Sequence, residues 1–324
     1  MQTAASPEAL PPLAYFPVPI FSSVMGTCGL ALAWQRAGEA TPALAGIWPG
    51  IAALATGIFL ALLLLYTLKL VRHQGQVVAE WRHPVRVNFF PAISISILLL
   101  SVVWRDTLPS LAFFLWCAGA VLHLGFTLAI LSSWIFHTHY DIHHANPAWF
   151  IPVVGNLFVP INAAAFGLAE VGWFYFSIGF VFWLVMMTIV LYRVFFHDPI
   201  APRLLPTLFI LIAPPAVGFL AYQALGGSLD AFARVLYGTA LFVTLLLAVN
   251  ARRFLQLGFF LSSWAYSFPL AAITIASFVM AQRSGHVFFI GLAFGLLAVV
   301  TVVITTLLAM TVRAALRRTL CIPE

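Results

Sequence analysis

The chain has 324 residues, 63% of them hydrophobic and 7% charged, where an ordinary soluble domain is about a quarter charged; this composition sets aside a soluble fold and reads as an integral membrane protein. The net charge of +6 is spread through short loops without a basic run or a recognition motif, so it gives no support to nucleic-acid binding. Cys28, Cys117 and Cys321 show neither pairing nor CxxC spacing, which argues against a disulfide framework and against a zinc site.

The opening stretch MQTAASPEALPPLAYF has no basic n-region, contains Glu8 and is broken by Pro7, Pro11 and Pro12. It reads as a short tail, 1–14, rather than a signal peptide. A helix needs roughly 20 apolar residues to cross the hydrocarbon core. By that measure ten spans follow, at about 15–35, 46–70, 87–104, 111–136, 148–168, 171–196, 206–225, 230–250, 261–281 and 286–312. The short loops between them predict a single all-α membrane bundle over 15–313 with a short tail, 314–324. Eleven basic residues lie after even-numbered spans or at the C-terminus, and four, Arg36, Arg105, Arg234 and Arg283, after odd-numbered ones. Basic loops stay on the cytoplasmic side, so both termini are expected there, in a multi-pass protein of the cell membrane, of the bacterial inner-membrane type.

Proline sorts by parity. Odd-numbered spans carry Pro17 and Pro19, Pro91, Pro152 and Pro160, Pro214 and Pro215, and Pro269, whereas the interiors of even-numbered spans carry none. From Pro17 the steps are 74, 61, 62 and 55 residues, about one helical hairpin each, which reads as five tandem hairpins. A proline inside a helix frees a carbonyl and bends the backbone, and lipid does not tolerate a free carbonyl. The odd helices are therefore expected inside, kinked at Pro19, Pro91, Pro152, Pro214 and Pro269, with the even helices as a lipid-facing outer ring. Small and weakly polar residues on the odd spans suit either close packing or a narrow wet path.

All nine acidic residues fall in loops, tails or span ends, which disfavours an acid-based coupled carrier. A path through the odd helices would be walled by apolar and small polar groups and would rank anions by how cheaply they shed water. His123, Asn156 and Asn162 read as interhelical hydrogen-bonding residues. The loop HTHYDIHH brings together His137, His139, Asp141, His143 and His144, the residue types of a metal site, with the HxxxHH spacing of a membrane metalloenzyme box. No second box exists in the chain, so the loop reads as an exposed segment of pH-dependent charge, and no enzyme activity, metal or cofactor is assigned.

The five proline-bearing hairpins, with YFPVPIF, NPAWFIPVVGN, PTLFILIAPPAV and WAYSFPLAA, resemble the tellurite-resistance/dicarboxylate transporter family of TehA- and SLAC1-like anion channels, from about Tyr15 to Arg313. The resemblance implies a homotrimer in the lipid bilayer, each protomer holding its own pore inside five odd helices with five even helices outside. It implies small inorganic or carboxylate anions as partners, carried through a gated channel or, alternatively, by a C4-dicarboxylate (malate) or oxyanion (sulfite, tellurite) carrier, some members being proton-coupled. Phe268 matches the ninth-helix phenylalanine that closes the pore in channel members. Phe16 is implied as a second pore aromatic, followed here by Pro17 where many bacterial relatives have glycine.

Overall fold

The computed structural model describes residues 10–137 and 140–321, and within them every regular element is helical. In chain order these are α1 (Val18–Ala40), α2 (Pro42–Arg72), α3 (Arg86–Trp104), α4 (Pro109–Phe136), α5 (Pro147–Ala163), α6 (Ala169–Phe196), α7 (Pro202–Ala224), α8 (Ala231–Val249), α9 (Leu261–Ser284) and α10 (Val287–Leu316). Among the described residues nine of them are long and apolar enough to cross a membrane, and α5 is shorter.

The expected fifth span, 148–168, is therefore corrected. Instead of one continuous helix it is a 3-10 turn (Pro147–Trp149), an α segment (Phe150–Val154), a second 3-10 stretch (Gly155–Phe158) and a last α turn (Pro160–Ala163). Pro152 and Pro160 each remove an amide donor, so regular pairing cannot run through. Side chains of α4 take up carbonyls left over: Thr127 Oγ1 donates to Pro152 O at 2.7 Å, and Trp116 Nε1 donates to Val159 O at 2.9 Å. Irregular backbone at membrane depth persists where protein satisfies it.

The other odd elements show a milder version of the same construction. Each begins as 3-10 helix, at Val18–Phe21, Arg86–Phe89, Pro202–Ile212 and Leu261–Tyr266, and continues as α-helix from Ser22, Pro91, Ala213 and Ser267. Pro19, Pro91, Pro214 and Pro269 stand within three residues of those changeovers. The prolines are thus not mid-helix kinks. They occupy the entry to an α-helix, where an amide has no intrahelical acceptor and proline costs least.

Burial alternates with the same parity. In its most apolar window α1 buries 67%, α3 78%, α7 61% and α9 89%, whereas α2, α4, α6, α8 and α10 bury 22–33%. Close approach in the interior depends on missing side chains: a Cβ on Gly26 would lie 2.2 Å from Ser267 Oγ, and one on Gly29 would lie 2.7 Å from Ala271 Cβ. That clearance seats α1 against α9. The two ends of the described chain meet on one side, the terminal side, since Tyr15 and Leu320 border a common cavity.

One buried ion pair escapes the expectation that charge stays at exposed ends. Lys69 and Glu80, 1% and 4% exposed, pair at 2.7 Å, Glu80 lying on the short helix Gln74–Arg82. Lys69 Nζ also donates to Phe16 O at 2.7 Å, Tyr66 Oη donates to Glu80 Oε2 at 2.9 Å, and the Val18 amide donates to Glu80 Oε1 at 3.4 Å. The pair pins the backbone that leads into α1. Sequence position hid it, because Lys69 ends a span and Glu80 sits in a connection.

Candidate functional site: three cavities and an aromatic constriction

Three cavities follow one another through the interior, each sharing residues with the next. On the terminal side lies one of about 450 Å³, bordered by Lys69, Glu80, His83, Arg86 and Arg203. It shares Phe89, Leu261 and Ser262 with a narrow cavity of about 60 Å³ whose lining comes entirely from α1, α3, α5, α7 and α9. The third, about 260 Å³, opens on the opposite side among the ends of the same elements and holds Arg36, Glu39, Arg105, Asp106 and Arg283.

Phe158, Val217 and Phe268 border both the narrow and the opposite-side cavity. Phe268 is the second residue of the α-helical part of α9, directly before Pro269, and is 6% exposed. Its ring lies 5.1 Å from that of Phe158 at an interplanar angle of 59°, an arrangement usual for attractive aromatic pairs. On the α1 side the space is kept by Gly29, whose Cβ, were there one, would come 3.2 Å from Phe268 Cδ2. Two aromatic rings and one valine thus separate the cavities.

The wall offers an ion little. The narrow cavity is lined by no charged side chain. Seven hydroxyls on the odd elements turn back into their own backbone: Ser23 donates to Ile20 O, Thr27 to Ser23 O, Ser94 to Pro91 O, Ser96 to Ala92 O, Ser267 to Trp264 O, Thr274 to Leu270 O and Ser277 to Ile273 O; Ser262, which lines the narrow cavity, donates to Arg203 O on α7. Of the small hydroxyl residues that read as suited to packing or to a wet path, these seven are spent on their own helices, and Ser22 lines the narrow cavity. Charge is confined to the two mouths.

The expected site residues divide accordingly. Phe268 stands at the constriction, Pro214 and Pro269 line the narrow cavity, and Pro19 lines the terminal-side cavity. Pro91 and Pro152 are buried and line none of the three. Phe16 is corrected: it is buried at 7% exposure and borders none of these cavities, although Tyr15 and Pro17 beside it do. Its contribution is the carbonyl that Lys69 grips. Phe158, Val217 and Gly29 were not picked out from the sequence. Phe158 stands two residues before Pro160, a signal akin to the Phe268-Pro269 step.

His123, Asn156 and Asn162 tie helices together. His123 Nδ1 is 2.9 Å from Ser94 Oγ, Asn156 Nδ2 donates to Thr127 Oγ1 at 3.0 Å, and Asn162 Nδ2 donates to Ser101 Oγ at 2.9 Å. In the histidine loop, Asp141 caps a short 3-10 turn, Ile142–His144, by accepting from the His143 amide, and the rings of His143 and His197 meet edge-on with centroids 5.9 Å apart. His139 lies outside the described residues. Among the described residues no three His, Cys, Asp or Glu side chains are grouped as a metal site.

The profile of a family described as voltage-dependent anion channel, SLAC1, matches residues 15–312. The S-type anion channel SLAH3 of Arabidopsis thaliana is 29% identical over 274 residues, 82% of this chain and 43% of the relative. The guard cell S-type anion channel SLAC1 of the same plant is 28% identical over 287 residues, 85% of this chain and 51% of the relative. The tellurite resistance protein TehA homolog of Haemophilus influenzae is 25% identical over 265 residues, 81% of this chain and 79% of the relative. The chain therefore spans about half the length of these plant relatives and most of the bacterial one.

Proposed function

The chain belongs to the SLAC1 voltage-dependent anion channel family, and from that premise we propose that it is a gated channel for small anions, with one pore per protomer closed at Phe268. The observation that carries the reading is the series of three cavities interrupted at Phe158, Val217 and Phe268. An anion at that apolar constriction would shed water without gaining ligands, which costs several kcal/mol or more. Basic side chains at both mouths, Arg86 and Arg203 on one and Arg105 and Arg283 on the other, favour anions over cations in the approach. The five cavity-lining elements form the inner ring of this channel and the five exposed helices its outer ring.

Two further parts of the reading have separate support. Counting α5 as a crossing makes ten, an even number, which agrees with both described ends lying on one side. That side is cytoplasmic in our reading, because it receives eleven of the fifteen Lys and Arg residues. Assembly as a homotrimer follows the family resemblance.

Reconstitution in liposomes with chloride, nitrate, malate and sulfite, with and without a proton gradient, tests the function. A channel gives anion currents that reverse at the anion's equilibrium potential and ignore the proton gradient. Saturable uptake that requires the gradient would replace the channel with a coupled dicarboxylate or oxyanion carrier.

A further inference from the structure

Helix α10 runs for 30 residues, Val287–Leu316, and is the most apolar element described. At 1.5 Å per residue it is about 45 Å long, which crosses the hydrocarbon core and reaches into both headgroup layers. Its terminal-side end therefore stands among lipid headgroups. Two exposed arginines occupy that end, Arg313 in the last turn and Arg317 at the C-cap.

One open groove runs down a single face of α10, and all of its lining belongs to that helix. Leu308, Ala309, Val312 and Leu316 make the apolar part, with Arg313 and Arg317 at the terminal-side end. Val312 and Leu316 are 58% and 80% exposed. Among the described residues neither guanidinium has an ion-pair or side-chain hydrogen-bond partner; Glu39, Glu80 and Asp106 are paired elsewhere, with Arg36, Lys69 and Arg105. Like charges one helical turn apart repel, and the helix C-terminus offsets part of that repulsion. An anion lodged between them removes the rest. A second copy of the chain suits this face poorly. Symmetric copies in one bilayer sit at the same depth, so the arginines would meet the end of the bundle that gathers eleven of the fifteen Lys and Arg residues.

We propose that this groove binds an anionic phospholipid, its phosphodiester between Arg313 and Arg317 and an acyl chain along Val312, Ala309 and Leu308. Guanidinium forks match the oxygens of a phosphate, and the apolar stripe beside them offers the chain a bed that free phosphate cannot use. A zwitterionic headgroup brings a second cation toward the arginines, so the anionic lipid is preferred. Another face of the same turns is tied inward: Trp264 Nε1 donates to Thr311 Oγ1 at 2.9 Å, and Trp264 lines the narrow cavity. The lipid thus lies one helix away from the path, and its binding is independent of what the path carries.

The test reads binding without flux. The purified full chain in detergent is titrated with phosphatidylglycerol, phosphatidylcholine or glycerol phosphate while its unfolding midpoint is followed. Half-maximal stabilisation by phosphatidylglycerol is expected at a concentration about tenfold or more below that for phosphatidylcholine, with glycerol phosphate without effect in that range. Arg313→Gln combined with Arg317→Gln should bring the two lipids to within about twofold of each other. Arg252→Gln combined with Arg253→Gln, which removes two other exposed cations of the terminal side, should leave the preference in place. Equal response to the two lipids in the unaltered protein, or a preference that survives loss of Arg313 and Arg317, would overturn the site. Equal loss in the two double variants would overturn it too, in favour of diffuse attraction to the whole basic face. Glycerol phosphate matching phosphatidylglycerol would remove the lipid from the proposal. A changed number of protomers per particle in the Arg313, Arg317 variant, measured by mass, would make this face an interface between copies instead.

Discussion

Helices α9 and α10 are joined through Gly285 and differ in nearly everything else. In its most apolar window α9 buries 89% and α10 buries 22%, yet α10 is the more hydrophobic of the two. In water the order would be reversed, because the apolar face goes inside. In a bilayer the lipid is the apolar phase, so Val, Leu and Phe are put outward on α10, and the interior goes to Ser267, Ala271, Ala272, Thr274, Ala276 and Ser277 of α9, all buried. Tight packing of small residues brings the inner elements close together; in the channel proposed above, the large side chains at the constriction, Phe158 and Phe268, are then the groups that would decide whether a path is open.

If the inner and outer elements differ in this way, substitutions should separate them. The largest effect is expected where the interior holds charge. Lys69→Met or Glu80→Gln alone strands a buried polar partner and should cost about 3–5 kcal/mol in SDS-induced unfolding, with much of that recovered in the double substitution. Additive losses would show that the pair does not act as a unit. Next in size is a contrast between two glycines. A Cβ at Gly155 on α5 would come 2.3 Å from His123 Cε1, whereas one at Gly57 on α2 meets nothing within 4 Å. Gly155→Ala should therefore destabilise by about 1–3 kcal/mol, and Gly57→Ala should stabilise by about 0.5–1 kcal/mol. The same sign for both would erase the distinction between inner and outer elements.

The smallest effect lies at the water boundary. Asp230 caps α8, and its carboxylate accepts from the Ala233 amide at 2.9 Å and from Tyr222 Oη. These bonds hold its pKa below the ordinary value of 3.8. A depressed carboxylate contributes stability that is fully present above the unfolded value and is lost as pH falls through the folded one. The unfolding midpoint of the unaltered protein should therefore decline more between pH 5 and strongly acidic conditions than that of Asp230→Asn, which keeps a good cap without a titrating group. Parallel profiles would remove Asp230 as a source of that pH dependence.

Much of this architecture was legible in the sequence because lipid makes hydrophobicity and proline into positional signals. Proline parity pointed to the buried elements, and the WAYSFPLAA stretch pointed to Phe268. What was not legible depends on approach between distant segments. The broken course of α5 was invisible to a count of apolar residues, although Pro152 and Pro160 stood inside it. Lys69 reads as an end-of-span charge and Glu80 as a loop charge, and they meet because the short helix Gln74–Arg82 brings Glu80 back to α2. The family resemblance implies Phe16 as a second pore aromatic, but its carbonyl is engaged by Lys69 and it borders none of the three cavities. Arg105 and Arg283 are 178 positions apart in the numbering, and no local pattern links them.

Anion conductance of Phe268→Ala beside the unaltered protein, in the same reconstituted bilayers, tests the central claim most directly. Each 1.4 kcal/mol removed from a barrier is about tenfold in rate, so opening the constriction should raise conductance by at least about an order of magnitude, with Phe268→Leu between the two and the unfolding midpoint nearly unchanged. Conductance at the unaltered level, together with strong destabilisation, would instead make Phe268 a packing residue and contradict the account.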